Sequence, residues 1–208
     1  MKEKVNKIRK DENVKNNKLD VVFLLDRSGS MYDSVEDTIG GYNSYLNKQK
    51  KKNINTRITT VLFDDRYEIL HDRKSIKEVK NITNKEYFVR GSTALLDAIG
   101  KTIITMDRTI KKDNKVLFII TTDGLENSSY EFSKNDIKKL IEKHKNFEFL
   151  YLGANIDSYS EANSIGISKK NVWRLLCCFR IDFIRKYSRW IVEKRNLKKV
   201  NYICLFSQ

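Results

Sequence analysis

The run Val21-Val22-Phe23-Leu24-Leu25-Asp26-Arg27-Ser28-Gly29-Ser30 constrains the fold more than any other stretch of the chain. Five consecutive apolar residues, with β-branched and aromatic types among them, read as a strand buried on both faces. The run ends in an acid, followed by two hydroxyls and a glycine. In open α/β sheets, ligands bind at the carboxyl ends of the strands. A carboxylate with alternating hydroxyls there offers hard oxygen donors suited to Mg²⁺ or Mn²⁺. Taken alone, Asp-x-Ser-x-Ser reads more simply as a polar turn, with Ser30 capping the helix that follows. The rest of the chain shifts that balance.

The first strand is predicted over 19–25, and a helix over 32–50 with Val35, Ile39, Tyr42, Tyr45 and Leu46 on its apolar face. A second strand follows at 54–63. The link Asp64-Asp65-Arg66 is so short that residues 67–70 can return only as an antiparallel hairpin, with the two acids in a solvated turn. Residues 71–90 read as polar and irregular, with a short helix at 75–79. Ser92 or Thr93 is expected to cap a helix over 94–111. Residues 115–122 form another buried-type strand that also ends in an acid, Thr122-Asp123-Gly124. Ser133 opens a helix to about 144, a strand follows at 147–152, and Asp157 caps a helix to 165. His71 and His144 lie among charged residues and are expected at the surface. Strands alternating with helices predict an α/β fold, Rossmann-like and doubly wound, with a mostly parallel sheet and helices on both faces.

At 208 residues the chain is long enough for one sizeable core. The formal net charge of +14 invites a nucleic-acid reading until it is located. Residues 1–18 carry +4, residues 19–168 only +1, and residues 169–208 carry +9. The central body is therefore nearly neutral and is not expected to bind nucleic acid. Residues 1–18 read as a basic, disordered N-terminal tail, 19–168 as the domain, and 169–208 as an atypical basic C-terminal segment. All three cysteines (Cys177, Cys178, Cys204) and both tryptophans (Trp173, Trp190) fall in that last segment. Its abrupt change in composition fits an altered or frameshifted end, or else a lineage-specific tail. No apolar run approaches the roughly 18–20 residues of a membrane span, and the N-terminus has no apolar leader, so a cytoplasmic protein is expected.

Right-handed connections place the strands at 19–25 and 115–122 side by side at the topological switch point. Asp26 and Asp123 then share one crevice, and the loop before the next helix brings Thr93 to the same end. Here the chain resembles the von Willebrand factor A (vWA) domain family over about residues 19–168. The resemblance rests on Asp26-x-Ser28-x-Ser30, on the threonine of Gly-Ser-Thr93-Ala-Leu-Leu-Asp, and on Thr-Thr-Asp123-Gly. Together these match the family's metal-ion-dependent adhesion site. The resemblance implies that Ser28, Ser30 and Thr93 contact a metal through their hydroxyls, while Asp26 and Asp123 act mainly through coordinated waters. It also implies a six-stranded sheet with one antiparallel edge strand, and a protein partner that offers a Glu or Asp to the metal. The family fold ends in a sixth strand and a final helix. Residues 175–179 and 184–194 are the candidates for these.

Three functions follow from different classes. The first is a non-enzymatic, divalent-metal-dependent binding module, with Mg²⁺ the first choice and Mn²⁺ or Ca²⁺ the others. The second is a Mg²⁺-dependent phosphotransferase or phosphatase of the haloacid dehalogenase type, with Asp26 as nucleophile. That type carries a second acid two residues on, where this chain has Ser28. The third is a membrane-surface or nucleic-acid binder working through residues 169–208. The first is the expectation, since no nucleophile–base pair is evident.

Overall fold

The computed structural model describes residues 19–51, 55–111, 114–123, 125–153 and 158–174. All eight residues of β1 (Leu19–Asp26) are buried. Val21, Phe23 and Leu25 enter the apolar layer on one side of the sheet, and Val22 and Leu24 the layer on the other. The two-residue period of an extended chain requires this division when both faces are covered. Phe23 meets Tyr42 and Tyr45 of α1 (Val35–Lys51) edge-on, at 4.8 and 5.1 Å between ring centroids. Each such pair adds about 0.5–1.5 kcal/mol beyond the area it buries, so strand and helix fix one another.

β2 (Thr56–Phe63) lies parallel to β1 and antiparallel to β3 (Tyr67–Ser75). β4 (Lys115–Thr122) runs parallel along the other side of β1, followed by β5 (Phe147–Gly153) and β6 (Val172–Arg174). The order is β3-β2-β1-β4-β5-β6. Apolar residues of α2 (Leu95–Thr109), α3 (Lys134–Lys143) and α4 (Ser158–Ser164) join the layer opposite α1. The switch point therefore lies between β1 and β4. This is the doubly wound, mostly parallel sheet with one antiparallel edge strand that the sequence predicts.

Several local expectations are corrected. β3 continues through Ser75, so residues 71–75 belong to a strand, with a register shift at residues 71–74, and no helix forms at 75–79. The spacing of Ile76, Val79 and Ile82 imitates a helical stripe, but these residues and Tyr87 anchor a turn-containing segment over α1. Asp64 is not solvated in its turn but wholly buried. His144 is buried too, with its ring stacked on Phe147 at 4.8 Å. β6 falls within the segment set apart at residue 169. The tail 1–18, Asp157, and the candidate strand at 175–179 and helix at 184–194 lie outside the described residues. Among the described residues no helix is long and apolar enough to cross a membrane.

Candidate metal centre

Asp26 is the last residue of β1, and its carboxylate crosses to the neighbouring strand. Oδ2 accepts a hydrogen bond from the Thr122 hydroxyl at 2.5 Å, and Oδ1 accepts from the Ser28 N–H at 2.7 Å. Beyond Ser28 the chain turns into a short 3₁₀ segment, Gly29–Ser34. The Ser28 and Ser30 hydroxyls are 3.2 Å apart, and Ser30 donates to Asp123 Oδ1 at 2.8 Å. Asp26, Ser28, Ser30 and Asp123 thus form one chain of polar contacts across the switch point. The buried Tyr87 hydroxyl donates to the Asp26 carbonyl from beneath.

Thr93 joins this group through the backbone. The Arg90 N–H donates to the Arg27 carbonyl at 2.7 Å, and the Gly29 N–H donates to the Gly91 carbonyl at 3.1 Å. The segment before α2 is thereby stitched along the Asp-x-Ser-x-Ser loop. Gly91 has φ +66°, a left-handed conformation that a residue with a Cβ rarely adopts. Thr93 is buried. Its N–H donates to Asn127 Oδ1 at 2.9 Å, and its carbonyl accepts from the N–H groups of Asn127 and Ser128, both at 3.1 Å.

Neither Ser92 nor Thr93 caps α2, whose N-cap position is Ala94 without a side-chain cap. Glu126 instead accepts from the Leu96 N–H at 2.9 Å, and the Ser129 hydroxyl accepts from the Asp97 N–H at 3.1 Å. The loop after β4 therefore satisfies the helix start and leaves the Thr93 hydroxyl out of the cap. Asp97 ties the same loop down, accepting the N–H groups of Tyr130, Glu131 and Phe132 at 3.0–3.1 Å.

Burial raises the Asp26 carboxyl to about 6, against the hydrogen bonds from Thr122 and Ser28, and the charge of Asp123 adds to the rise. Asp123, half-buried, is also pushed upward by desolvation. Asp64 behaves differently. Burial opposes its charge, but donors from Arg90, the Arg66 N–H and Arg27 outweigh that cost and hold it below the usual carboxylate range.

The structure thus brings Asp26, Ser28, Ser30 and Asp123 together by direct contact, and holds the segment that carries Thr93 against their loop through Arg90 and Gly91. Sequence reasoning missed Arg27, Asp64, Tyr87, Arg90, Glu126 and Asn127, which hold the loops in place. One signal was available. A buried-type strand running straight into Asp26-Arg27 calls for a counter-charge, and Asp64 is the nearest acid at the end of the adjacent strand. Among the described residues no three His, Cys, Asp or Glu side chains gather as a metal-binding cluster. The donor set is instead rich in hydroxyls, and all of its donors are oxygen, as hard divalent cations require.

The sequence model of the von Willebrand factor type A domain matches residues 20–175, a span that takes in β2 to β6 and all of β1 except Leu19. The chain belongs to this family. Comparison of this vWA domain with curated protein sequences gives no match. Among solved structures it is similar to proximal thread matrix protein 1 from the mussel byssus, with a TM-score of 0.60 at 18% identity. A structure of that mussel protein with a zinc-occupied metal-ion-dependent adhesion site aligns with a TM-score of 0.57, also at 18% identity. In both cases the alignment covers 82% of this chain and 46% of the mussel protein, so the vWA chain spans under half of its length. At that identity the likeness is one of fold.

Proposed function

We propose that this vWA domain is a non-enzymatic protein-binding module that works through a divalent cation. The Ser28, Ser30 and Thr93 hydroxyls would hold the cation together with the Asp26 and Asp123 carboxylates. One observation carries this reading: Asp26 is wholly buried, and no basic side chain pairs with it among the described residues. Its surroundings are hydroxyls, one backbone N–H and a second carboxylate. An ionised carboxylate in such a place is costly, and a cation from solution offsets that cost. Ser30 donates its single hydroxyl proton to Asp123, which leaves its oxygen with lone pairs only. A cation bound there would supply positive charge and a coordination position for a Glu or Asp of the partner.

The all-oxygen donor set favours Mg²⁺, with Mn²⁺ or Ca²⁺ as alternatives. The zinc-occupied site of the mussel neighbour supports a divalent cation at this place in the fold. A phosphotransferase with Asp26 as nucleophile is the weaker reading, because Ser28 stands where that type carries its second acid, the general acid. The setting we propose is the cytoplasm, with a protein partner and no role for nucleic acid at the nearly neutral core.

The test is partner capture by the wild type in millimolar Mg²⁺, repeated in EDTA and with Thr93→Ala. Thr93→Ala removes a hydroxyl without changing charge, and the cap of α2 does not depend on it. Retention is expected only for the wild type in Mg²⁺. Equal retention by the wild type in EDTA, or by Thr93→Ala in Mg²⁺, would end the adhesion-site reading.

A further inference from the structure

One polar cluster at this end of the sheet is left unused by the metal reading. Arg27 stands between Asp26 and Ser28 in the sequence, yet its guanidinium is 1% exposed and points away into a network centred on Asp64. We infer that Asp64, Arg27 and Arg90 form a positioning device that sets the distances between the metal-site loops. The inference rests on the metal reading above.

Asp64 touches both the loop that carries Ser28 and Ser30 and the segment that carries Thr93. Its Oδ2 accepts from Arg27 Nε and from Arg90 Nε, both at 2.8 Å. Its Oδ1 accepts from the Arg66 N–H at 2.7 Å, which closes the β2–β3 turn on itself. Its carbonyl accepts from the Ala94 N–H at 2.9 Å. Asp64 therefore binds the residue between Asp26 and Ser28, the residue before Gly91, and the residue after Thr93. Displacing it would move hydroxyls and carboxylate apart at once.

The network is also balanced in charge. Glu68 accepts from Arg27 Nη2 at 2.7 Å and lies 4.0 Å from Arg90, so two guanidiniums face two carboxylates. The Phe88 ring lies 5.7 Å from one guanidinium and 5.4 Å from the other, against both. The loop is thus clamped without adding net positive charge beside the metal-site carboxylates. A planar guanidinium can reach Asp64 and Glu68 together, whereas a lysine presents a single point charge.

A mere stability role would look the same in a melt, so the test needs a reference pair. Asp20 and Arg73 supply it. Asp20 is 1% exposed and accepts from Arg73 Nε at 3.0 Å, but it sits at the amino end of the same strand. The experiment measures Mn²⁺ affinity of the full chain by the electron paramagnetic resonance of free Mn²⁺, alongside melts in EDTA. The variants are Arg27→Lys, Arg90→Ala and the control Arg73→Lys.

Residues that orient metal ligands typically change affinity by about 10- to 100-fold when altered. Arg27→Lys is expected to weaken Mn²⁺ binding at least tenfold on that scale, and Arg90→Ala by less. Arg73→Lys should lower the EDTA melt while leaving Mn²⁺ affinity within about twofold, far below that range. Wild-type binding with unchanged affinity in both Arg27→Lys and Arg90→Ala overturns the positioning role alone. So does an equal loss in Arg73→Lys. Should Arg27→Lys not fold, the partly exposed Arg90 decides the matter by itself. Absence of Mn²⁺ binding by the wild type overturns the metal reading and this inference together.

Discussion

β1 carries a buried aspartate at each end, and the two are treated in opposite ways. Asp20 and Asp26 belong to the same alternate set of side chains as Val22 and Leu24, so both face the layer of α2, α3 and α4. Asp20 meets Arg73, whose guanidinium also donates to the Thr109 carbonyl at the end of α2 at 3.0 Å. Arg73 adopts φ 40°, in the left-handed region, beyond a register shift in the β2–β3 pairing. That backbone costs on the order of 1–2 kcal/mol for a residue with a Cβ, and the ion pair offsets it. At the other end, Asp26 is met by the Ser28 N–H and by the hydroxyls of Thr122 and Ser28, and by no cation from the described residues. Asp64 and Asp97, also buried, are compensated by two arginines and by three backbone N–H groups. Among the described residues, three of the four buried aspartates are therefore neutralised or well hydrogen-bonded by the protein itself, and the fourth, Asp26, is the one that the proposed cation would compensate. A fully satisfied carboxylate reads as structure, and an undersatisfied one among hydroxyls reads as a site.

The largest expected effect is at the satisfied end. Asp20→Asn leaves the Arg73 guanidinium against a neutral amide, and because Arg73 is partly exposed the cost is about 3 kcal/mol, the low end of the range for breaking a buried pair. Urea denaturation should show that loss equally in EDTA and in Mg²⁺. A loss that depended on metal would break the contrast between the two ends.

Asp26→Asn should behave in the reverse manner. The amide still accepts the Ser28 N–H and can donate to the Thr122 hydroxyl, so in EDTA the variant should be as stable as wild type or more so. What it should lose is the gain from metal, about 2.7 kcal/mol for the wild type at a hundredfold excess over the dissociation constant. Melts in EDTA and Mg²⁺ should therefore separate for the wild type and coincide for Asp26→Asn. A drop in EDTA as large as that of Asp20→Asn would make Asp26 a structural residue.

What could be read in the sequence follows from how local each cause is. β1 and β4 announce themselves as apolar runs, and the acids at their ends lie at the mouth of the sheet by topology alone. Asp26, Ser28, Ser30 and Asp123 were legible for that reason, and Thr93 through the motif around it. The clamp that holds them was not, because Arg27–Asp64 and Arg90–Asp64 join residues 37 and 26 apart, and an Asp-Asp-Arg turn is ordinarily solvated. His144 was misjudged for a related reason: its sequence neighbours are charged, but the ring turns inward onto Phe147. Ile76, Val79 and Ile82 present a spacing of three that imitates the helix expected at 75–79, whereas these side chains and Tyr87 serve as separate anchors in the layer over α1.

The two helix starts on the same side of the sheet sharpen the lesson at smaller scale. α2 is capped from a distance, by Glu126 and Ser129 of the loop that follows β4. Glu126 also accepts the N–H groups of Ser128 and Ser129 at 2.9 and 2.6 Å, so the cap and the Thr93 loop are one unit. Glu126→Gln keeps a single acceptor oxygen and should cost about 1.5–3 kcal/mol, the range for a hydrogen bond to a charged group. Because that loop also holds Thr93, the gap between Mg²⁺ and EDTA melts should narrow as well. An unchanged gap would detach the cap from the metal centre.

α3 carries its own cap, and it is the smallest of the expected effects. The Ser133 hydroxyl accepts from the Asp136 N–H at 3.2 Å, while Asp136 Oδ2 accepts from the Ser133 N–H at 3.0 Å. Both partners lie within one turn, which is why this helix start was visible in the sequence and that of α2 was not. Ser133→Ala removes one half of the box and should cost about 1 kcal/mol. No bond of this box reaches the loops that carry Asp26, Thr93 or Asp123, so the loss should be identical in EDTA and in Mg²⁺, and Mn²⁺ affinity should not move. A metal-dependent loss in Ser133→Ala would mean that the centre senses the stability of the whole layer rather than its own loops. The difference between Glu126→Gln and Ser133→Ala, read in the same pair of buffers, therefore measures how far the metal centre is insulated from the helices that pack beneath it.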